Sequence, residues 1–449
     1  MNQNHIATVT TSSLMIDKTI QSNLSTNKNN CASKLLRAGK LVTIILIIAL
    51  VSSHVQAAKM LFRSNFGNGV SISAPYSYFP TGNGAWQQIT GTDKETGYSW
   101  PVRAFGSNFS GLQLITMDSI TSSTIGDYIT NEIRSVSGPK GKTTNEIFQN
   151  VKIKGDVGEA GSQSPFVFLR PSTIGDVKDL YMTYWIKYPA DLAEKLDPTI
   201  SSGNWRTHFE FKTGGYGGNT SSGDYRSIIN IMKDSDGSLY WLSRGDSNAN
   251  GPVPFTTYWR EENRVVPVPV GEWIKFEVYW HRSSGSDGRF WAAVNGQEIV
   301  DYHGPNMGDY NLPITRIMPH NAYSGGSGPV ESHITGFEIW DGFPCGSGVS
   351  CYNFDTTAPT VPASPKGTFK KYSTFASTTL TWAASTDAIG VAGYAIYRNG
   401  IKIGVSSTTT SYTDVIVGSA TGSLYSYTVK AFDAAENFSS SSSAVKFTY

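Results

Sequence analysis

Apolar and polar residues alternate with a period of two along many short stretches of the chain, as in strands with one buried face. In the segment from Trp205 to Lys212, one face carries apolar or small residues and the other carries four ionisable ones. The ionisable row consists of Arg206, His208, Glu210 and Lys212. This row predicts a surface that binds an anion and transfers a proton, or else a solvated face held by cross-strand ion pairs.

A second segment, from Trp273 to His281, alternates in the same way. Its polar row consists of Lys275, Glu277, Tyr279 and His281. We expect both segments to lie in one sheet, because their polar rows would then line a single groove.

The other alternating segments are short and separated by turn signals. Asp234–Gly237 and Asn295-Gly296 each join two such segments and predict β-hairpins. Helix content is expected to be minor, and a short helix is predicted over Pro189–Leu196. The pattern predicts an all-β sandwich or jelly roll over residues 58–354.

The N-terminus has the features of a targeting segment. Lys34, Arg37 and Lys40 precede an apolar run over residues 41–51, and small residues follow at positions that suit cleavage before Ala58. Residues 1–57 are therefore predicted to be a signal peptide with a long n-region, with an uncleaved anchor as the alternative. The mature protein is predicted to be secreted or periplasmic, with no membrane span.

Charge and cysteine content narrow the function classes. The formal net charge is +1, and because residues 1–57 hold five basic residues and one acid, residues 58–449 hold 31 basic and 34 acidic ones. This balance argues against a nucleic-acid partner. Cys345 and Cys351, the cysteines of the mature chain, are predicted to form a disulfide.

No cofactor is expected, and a structural calcium ion is left open without a ligand set. Asp234–Gly237 resembles the start of a calcium loop but lacks the later glutamate, so a turn is favoured. The tripeptide Arg244-Gly245-Asp246 is interpreted as a hairpin tip.

A Thr/Pro-rich linker is predicted over residues 355–364. Residues 365–449 resemble a bacterial fibronectin type III module. The resemblance is carried by Leu380-Thr381-Trp382, Gly393–Gly400, Ser411–Asp414 and Tyr425–Asp433, with Tyr425 expected at the tyrosine corner. The resemblance implies a spacer or adhesive module on a secreted polysaccharide-active protein.

The larger domain resembles the concanavalin A-like jelly roll, most closely its polysaccharide-lyase and laminin-G-like branches. Gly271-Glu272-Trp273, Val294-Asn295-Gly296 and the closing segment Gly336–Gly342 carry this resemblance. The glutamine-isoleucine-histidine strand of alginate lyases with this fold is absent, and so is the acid array of related glucanases. The resemblance therefore implies a fold rather than a substrate.

The residue types favour elimination over hydrolysis. Cleavage of a uronate polymer by β-elimination needs a cation at the carboxylate, a base for the C5 proton and an acid for the leaving oxygen. We expect Arg206 and Lys212 to bind the carboxylate, His208 or His281 to act as base, and Tyr279 as acid or as both. Ion pairing by Glu210 with neighbouring cations is the alternative.

Further residues are candidates for sugar binding: Arg226, Asn230, Trp241, Trp259 and Tyr323. The sequence thus predicts a monomeric lyase acting on an acidic polysaccharide. Two alternatives stay open, a non-catalytic lectin or adhesin and a neutral-glucan hydrolase.

Overall fold

The computed structural model describes residues 58–76, 84–115, 125–152, 162–197, 199, 204–214, 225–247, 256–323, 329–344, 350, 357–388, 390–406, 409–417, 422–433 and 437–448. The predicted signal segment, both cysteines of the predicted mature chain and residues 355–356 of the predicted linker lie outside these residues.

Strands dominate the described part of the chain, and they are numbered here in chain order. The strands of the larger domain are β1 Met60–Ser64, β2 Val70–Ile72, β3 Gly84–Thr92, β4 Ser99–Trp100, β5 Phe109–Ile115, β6 Ile129–Ser137, β7 Thr143–Val151, β8 Gln163–Leu169, β9 Asp179–Lys187, β10 Trp205–Thr213, β11 Arg226–Lys233, β12 Leu239–Asp246, β13 Thr257–Asn263, β14 Trp273–His281, β15 Arg289–Val294, β16 Gln297–His303, β17 Ile314–Tyr323 and β18 Val330–Trp340. Those of the C-terminal domain are β19 Ala363–Lys371, β20 Phe375–Ala383, β21 Val391–Arg398, β22 Ile401–Ser406, β23 Ser411–Val417, β24 Leu424–Asp433 and β25 Val445–Thr448. Two one-turn α-helices, α1 Ile125–Tyr128 and α2 Leu192–Lys195, and a single 3-10 turn over Pro139–Gly141 complete the described elements.

The larger domain consists of two antiparallel sheets. The ten-stranded sheet has the order β13-β12-β11-β10-β17-β8-β5-β3-β2, with β4 added at β3. The eight-stranded sheet has the order β16-β15-β14-β9-β18-β7-β6, with β1 added at β18. Strands β10 and β14 therefore belong to different sheets, which contradicts the expectation that their polar rows line one groove.

The main core lies between these two sheets. Phe209 and Phe211 from the ten-stranded sheet pack against Phe276 and Trp280 from the eight-stranded sheet, with ring centroids 5.1–6.0 Å apart. All four side chains are fully buried. Burial of each such side chain stabilises the fold by about 1.5–3 kcal/mol, so the sandwich holds the two outer faces in fixed positions.

The C-terminal domain is a smaller sandwich of a three-stranded sheet, β19-β20-β23, and a four-stranded sheet, β22-β21-β24-β25. Trp382 packs edge-on against Tyr394 in its core. The buried tyrosine of β24 is Tyr427, whose hydroxyl donates to Asp414 at 2.8 Å. Tyr425, which the sequence places at the tyrosine corner, is partly exposed instead.

The C-terminal domain packs against the outer face of the eight-stranded sheet. A second apolar cluster joins Tyr181, Trp291 and Trp340 of that sheet to Ala395 and Phe432 of the C-terminal domain. This face is therefore covered in part by the protein itself, whereas the pocket described below opens on the ten-stranded sheet.

Two predicted hairpin turns, at Asp234–Gly237 and Asn295-Gly296, and the predicted short helix are confirmed. The hairpin β11–β12 turns at Asp234–Gly237, and the hairpin β15–β16 turns at Asn295 and Gly296, both with positive φ. Helix α2 falls within the one stretch predicted to be helical. The described part of the chain is therefore all-β, with a larger two-sheet sandwich followed by a smaller one, as the sequence predicts.

Candidate functional site

A bulge in β10 decides which of its side chains reach the protein surface. Thr207 pairs with Asn230 and Phe209 pairs with Ile229, so His208 is an extra residue in the ladder. Because a bulge interrupts the alternation of faces, His208 and Phe209 both point into the core. Beyond the bulge, alternation resumes with the opposite phase from that before it.

His208 is therefore not placed as the predicted base. Its side chain is completely buried, with the ring 4.1 Å from that of Phe276 and Nδ1 2.5 Å from the hydroxyl oxygen of Tyr188. Burial, aided by the nearby His320, holds the pKa of His208 well below its usual range. The imidazole is a neutral core group out of contact with the outer face.

Arg206 is also buried, on the core side of the strand, opposite Ile231. Its guanidinium donates to the carbonyl oxygens of Trp205 at 2.9 Å and Lys195 at 3.1 Å. Lys195 is the last residue of α2, so Arg206 satisfies a helix-end carbonyl. The prediction that Arg206 binds substrate carboxylate is therefore not supported by its position.

Tyr279 and His281 lie on the outer face of the eight-stranded sheet, on the opposite side of the sandwich from Lys212. Both contact Asp179, the tyrosine through its hydroxyl at 3.1 Å and the histidine through Nδ1 at 2.7 Å. Burial, and secondarily Asp179, raises the pKa of Tyr279. Neither side chain lies with the other predicted catalytic residues.

The aromatic candidates on β12 and β13 belong to the core. Trp241 is completely buried, and Trp259 stacks on Tyr302 with ring centroids 4.5 Å apart. Asn230 is on the outer face but 3% exposed. Tyr323 ends β17, and its side chain lies outside the described residues.

The ten-stranded sheet brings together six charged residues on its outer face, called here the basic cluster. These are Lys212, Arg226, Arg244, Arg316, Glu210 and Asp246, so four cations surround two carboxylates and the cluster carries a formal charge of +2. Of the predicted site residues, Lys212 and Arg226 belong to it.

Glu210 lies at the centre of the basic cluster and is 2% exposed. Its Oε1 is 3.3 Å from Nζ of Lys212 and 3.1 Å from Nη1 of Arg226. Burial alone would raise the pKa of Glu210, but the surrounding cations lower it overall. The carboxylate is therefore ionised. Glu210 forms ion pairs with neighbouring cations, which is the alternative stated for it in the sequence analysis.

Asp246 anchors the other side of the basic cluster. Its carboxylate accepts from Nε of Arg226 at 2.6 Å and pairs with Nε of Arg244 at 2.8 Å. Arg244-Gly245-Asp246 therefore lies within β12, and its interpretation as a hairpin tip is wrong. Gly245 faces the core, where a Cβ atom would lie 2.2 Å from Nε1 of Trp259.

Lys212 has the perturbed acidity expected of a proton-transfer group. Its side chain is 19% exposed. Burial and repulsion from Arg316 and Arg226 outweigh the attraction of Glu210 and lower the pKa of Lys212 to about 8. A measurable fraction of neutral amine is therefore present near neutral pH.

A pocket of about 550 Å³ opens beside Lys212 on the same face. Arg316 lies on its charged side and donates to the side-chain oxygen of Gln113. Tyr76, Trp86 and Phe109 form its aromatic side. Pockets of this size that combine aromatic walls with a few placed charges are typical of ligand sites.

The sequence did not single out Arg316, Trp86 or Phe109. No apolar–polar alternation marks Arg316, because Ile314, Arg316 and Met318 share one face by period two and the ladder between β10 and β17 shifts beside Arg316. His320, further along β17, is buried against Tyr188, and burial lowers its pKa to about 3.

No group of three or more His, Cys, Asp or Glu side chains is placed to hold a metal ion within the described ranges. Asp234–Gly237 forms a turn, in which the amide of Asp234 donates to the carbonyl of Ser238 at 2.9 Å. No helix of the described residues is long and apolar enough to span a bilayer.

Comparisons with known proteins give partial matches. No family model matches the chain. Chitinase D of Niallia circulans is 41% identical over 158 residues, which are 35% of this chain and 28% of that protein. Exoglucanase B of Cellulomonas fimi is 47% identical over 94 residues, 21% of this chain and 8% of that protein. The chain spans less than a third of the length of these relatives.

Among solved structures, the alginate lyase Aly36B is 12% identical, with a TM-score of 0.33 over 49% of this chain and 84% of that one. The endo-β-1,4-glucuronan lyase of Trichoderma reesei is 14% identical, with a TM-score of 0.32 over 47% of this chain and 90% of that one. The botulinum neurotoxin serotype D/C binding domain is 8% identical, with a TM-score of 0.30 over 72% of this chain and 67% of that one.

Proposed function

We propose that the larger domain is a polysaccharide lyase that cleaves a uronate-containing polymer on the outer face of its ten-stranded sheet. The observation that carries this proposal is the basic cluster with its +2 charge, which adjoins a pocket with an aromatic side. A surface of fixed guanidinium groups attracts a polymer of carboxylates, and the pocket supplies room for a sugar ring.

In the proposed reaction, Arg316 and Arg226 bind the uronate carboxylate and neutralise it, which acidifies the C5–H bond. Neutral Lys212 accepts the C5 proton through Nζ. The C5–H electron pair forms the C4–C5 double bond and the C4–O bond breaks. The Lys212 ammonium then returns the proton to the leaving oxygen, so one residue serves as base and acid.

Hydrolysis is disfavoured by the state of the two acids of the basic cluster. Glycosidases need one carboxyl group as acid and a second as nucleophile or base, both within reach of the substrate. Glu210 and Asp246 are at most 2% exposed, and each is paired with two cations. They are placed to hold the cations rather than to attack a sugar.

The test is to incubate the secreted protein with alginate, glucuronan, pectate and heparinoids. With at least one polymer, the far-ultraviolet absorbance of unsaturated uronates should increase with time. The number of reducing ends should increase in proportion. Reducing ends without that absorbance would indicate a hydrolase. The proposal is overturned if neither signal appears on any uronate polymer.

A non-catalytic carbohydrate-binding protein is the second candidate. The observation that favours it is the burial of His208 and His320, together with the position of Tyr279 on the other side of the sandwich. Binding of uronate polymers by affinity electrophoresis, without double-bond formation, would support this candidate over the lyase.

The N-terminal segment and the C-terminal domain fit a secreted, polysaccharide-active protein. We propose cleavage before Ala58, a disulfide between Cys345 and Cys351, and a monomeric mature protein. Chitinases and glucanases among the partial relatives support action on polysaccharides. N-terminal sequencing and the intact mass of the exported protein test the first two points, and light scattering tests the third.

A further inference from the structure

An aromatic surface next to the basic cluster has no part in the proton transfer described above. Trp86 of β3 and Phe109 of β5 meet edge to face, with ring centroids 4.9 Å apart. Both side chains are partly exposed on the outer face and line the pocket together with Lys212 and Arg316. We call this pair of rings the aromatic platform.

The absence of a side chain at Gly111 makes room for the aromatic platform. A Cβ atom there would lie 2.8 Å from Cζ of Phe109 and 2.1 Å from the carbonyl oxygen of Gln87. The Phe109 ring therefore extends along the sheet surface over Gly111, towards Trp86, instead of standing clear of the sheet. The strand pairing places Gly111 opposite Gln88 on β3 and Val167 on β8.

The basic cluster and the aromatic platform are adjacent along the sheet. Lys212 pairs with Arg316, Arg316 pairs with Leu169, and Leu169 pairs with Phe109, so these residues form one row across β10, β17, β8 and β5. Neighbouring strands are about 4.8 Å apart, so Phe109 lies three strands, roughly 14 Å, from Lys212. A polymer that lies across the strands would meet both.

We propose that the aromatic platform is a sugar-stacking subsite for a residue of the bound polymer next to the uronate held by Arg316 and Lys212. Aromatic rings bind the C–H face of a sugar, whereas guanidinium groups bind its carboxylate. The proposal rests on the proposed function for the class of ligand. It adds that this subsite selects by ring stacking rather than by charge.

The test uses the full chain carrying Lys212→Arg, which keeps the positive charge but has no neutral amine to accept a proton. Binding of alginate and glucuronan oligosaccharides is measured by calorimetry, with and without Trp86→Ala. The matched control is Trp273→Ala, which removes a partly exposed tryptophan from the outer face of the eight-stranded sheet. Thermal unfolding of each variant checks that it is folded.

Trp86→Ala is expected to weaken binding by about 3- to 10-fold, and Trp273→Ala to leave binding unchanged. The loss should persist at high salt, because stacking is not screened, whereas the loss from Arg316→Gln should shrink as salt rises. Trp86→Phe, which keeps a ring, should restore most of the affinity. In the chain that keeps Lys212, Trp86→Ala is expected to raise KM with little change in kcat. Trp273→Ala is expected to leave KM unchanged.

Two negative results are distinguishable. If the Lys212→Arg chain binds no uronate oligosaccharide, the proposed function is overturned and the subsite with it. If that chain binds and Trp86→Ala binds equally well, the subsite is overturned while the proposed function stands. A salt-dependent loss from Trp86→Ala would likewise count against stacking.

Discussion

The pH dependence of cleavage should follow the acidity of Lys212. A base must be neutral, and a pKa of about 8 leaves about one-eleventh of Lys212 neutral at pH 7 and half of it at pH 8. The rate at low substrate concentration should therefore rise about fivefold over this interval and level off above it.

Glu210→Gln removes the carboxylate that raises the pKa of Lys212. Its Oε1 lies 3.3 Å from Nζ. At that distance the attraction of two unit charges is about 1.3 kcal/mol at the dielectric constant of water, which corresponds to about one pKa unit, and the effect grows as the effective dielectric falls. Because Arg226 and Arg316 still repel the ammonium, the pKa should fall to about 7 or below.

The assay is the initial rate of unsaturated-uronate formation against pH, for wild type and Glu210→Gln. In Glu210→Gln, the acidic limb of the pH–rate profile should move by about one pH unit or more towards lower pH. The control is Glu146→Gln, which removes an equally buried carboxylate from the eight-stranded sheet, where it pairs with Arg134 at 2.7 Å. A limb that stays in place, or moves towards higher pH, in Glu210→Gln would refute this assignment of Lys212.

Three further predictions concern stability. Burial lowers the pKa of His320 to about 3 in the folded state, so its contribution to stability is complete above pH 6.5 and is lost as pH falls. Between pH 7 and 5, His320 should account for about 2 kcal/mol of the loss in the free energy of unfolding in urea, in addition to the loss from the buried His208. His320→Gln should therefore reduce the loss over this interval by about 2 kcal/mol, and an unchanged pH dependence would contradict the prediction. Asp176→Asn leaves the fully buried guanidinium of Arg282 without its carboxylate partner and should cost about 3–5 kcal/mol, measured as a lower melting temperature; a shift within error would contradict it. Deletion of residues 357–449 uncovers apolar surface around Trp291 and should lower the melting temperature and increase dye binding, and identical behaviour would show that the two domains are independent.

Local features of the fold were predictable from the sequence. Asn295-Gly296 requires positive φ at both positions, as a tight hairpin turn does, and the structure has φ of 49° and 79° there. The core faces of Trp273–His281 also follow the alternation, because that strand pairs without a bulge. Such features depend on neighbouring residues alone.

The candidate site was predictable only in part, for two physical reasons. A bulge at His208 shifts the alternation of core and outer residues along β10. The bulge is set by pairing with β11, so it cannot be predicted from the residues Thr207-His208-Phe209 themselves. Membership of a sheet depends on pairing between distant segments, so Lys212 and Tyr279, both on polar rows, are on opposite sides of the sandwich. Lys212 was predictable because it lies beyond the bulge, where β10 alternates as the sequence suggests. Arg226 was predictable because it lies on the adjacent strand β11.

In the proposed reaction, Lys212 transfers the proton on the outer face of the ten-stranded sheet. The most direct measurement compares wild type with Lys212→Arg, using one uronate polymer for both binding and double-bond formation. Lys212→Arg is expected to bind the polymer with affinity similar to that of wild type and to form no unsaturated product. Unsaturated product formed by Lys212→Arg at the wild-type rate would contradict it.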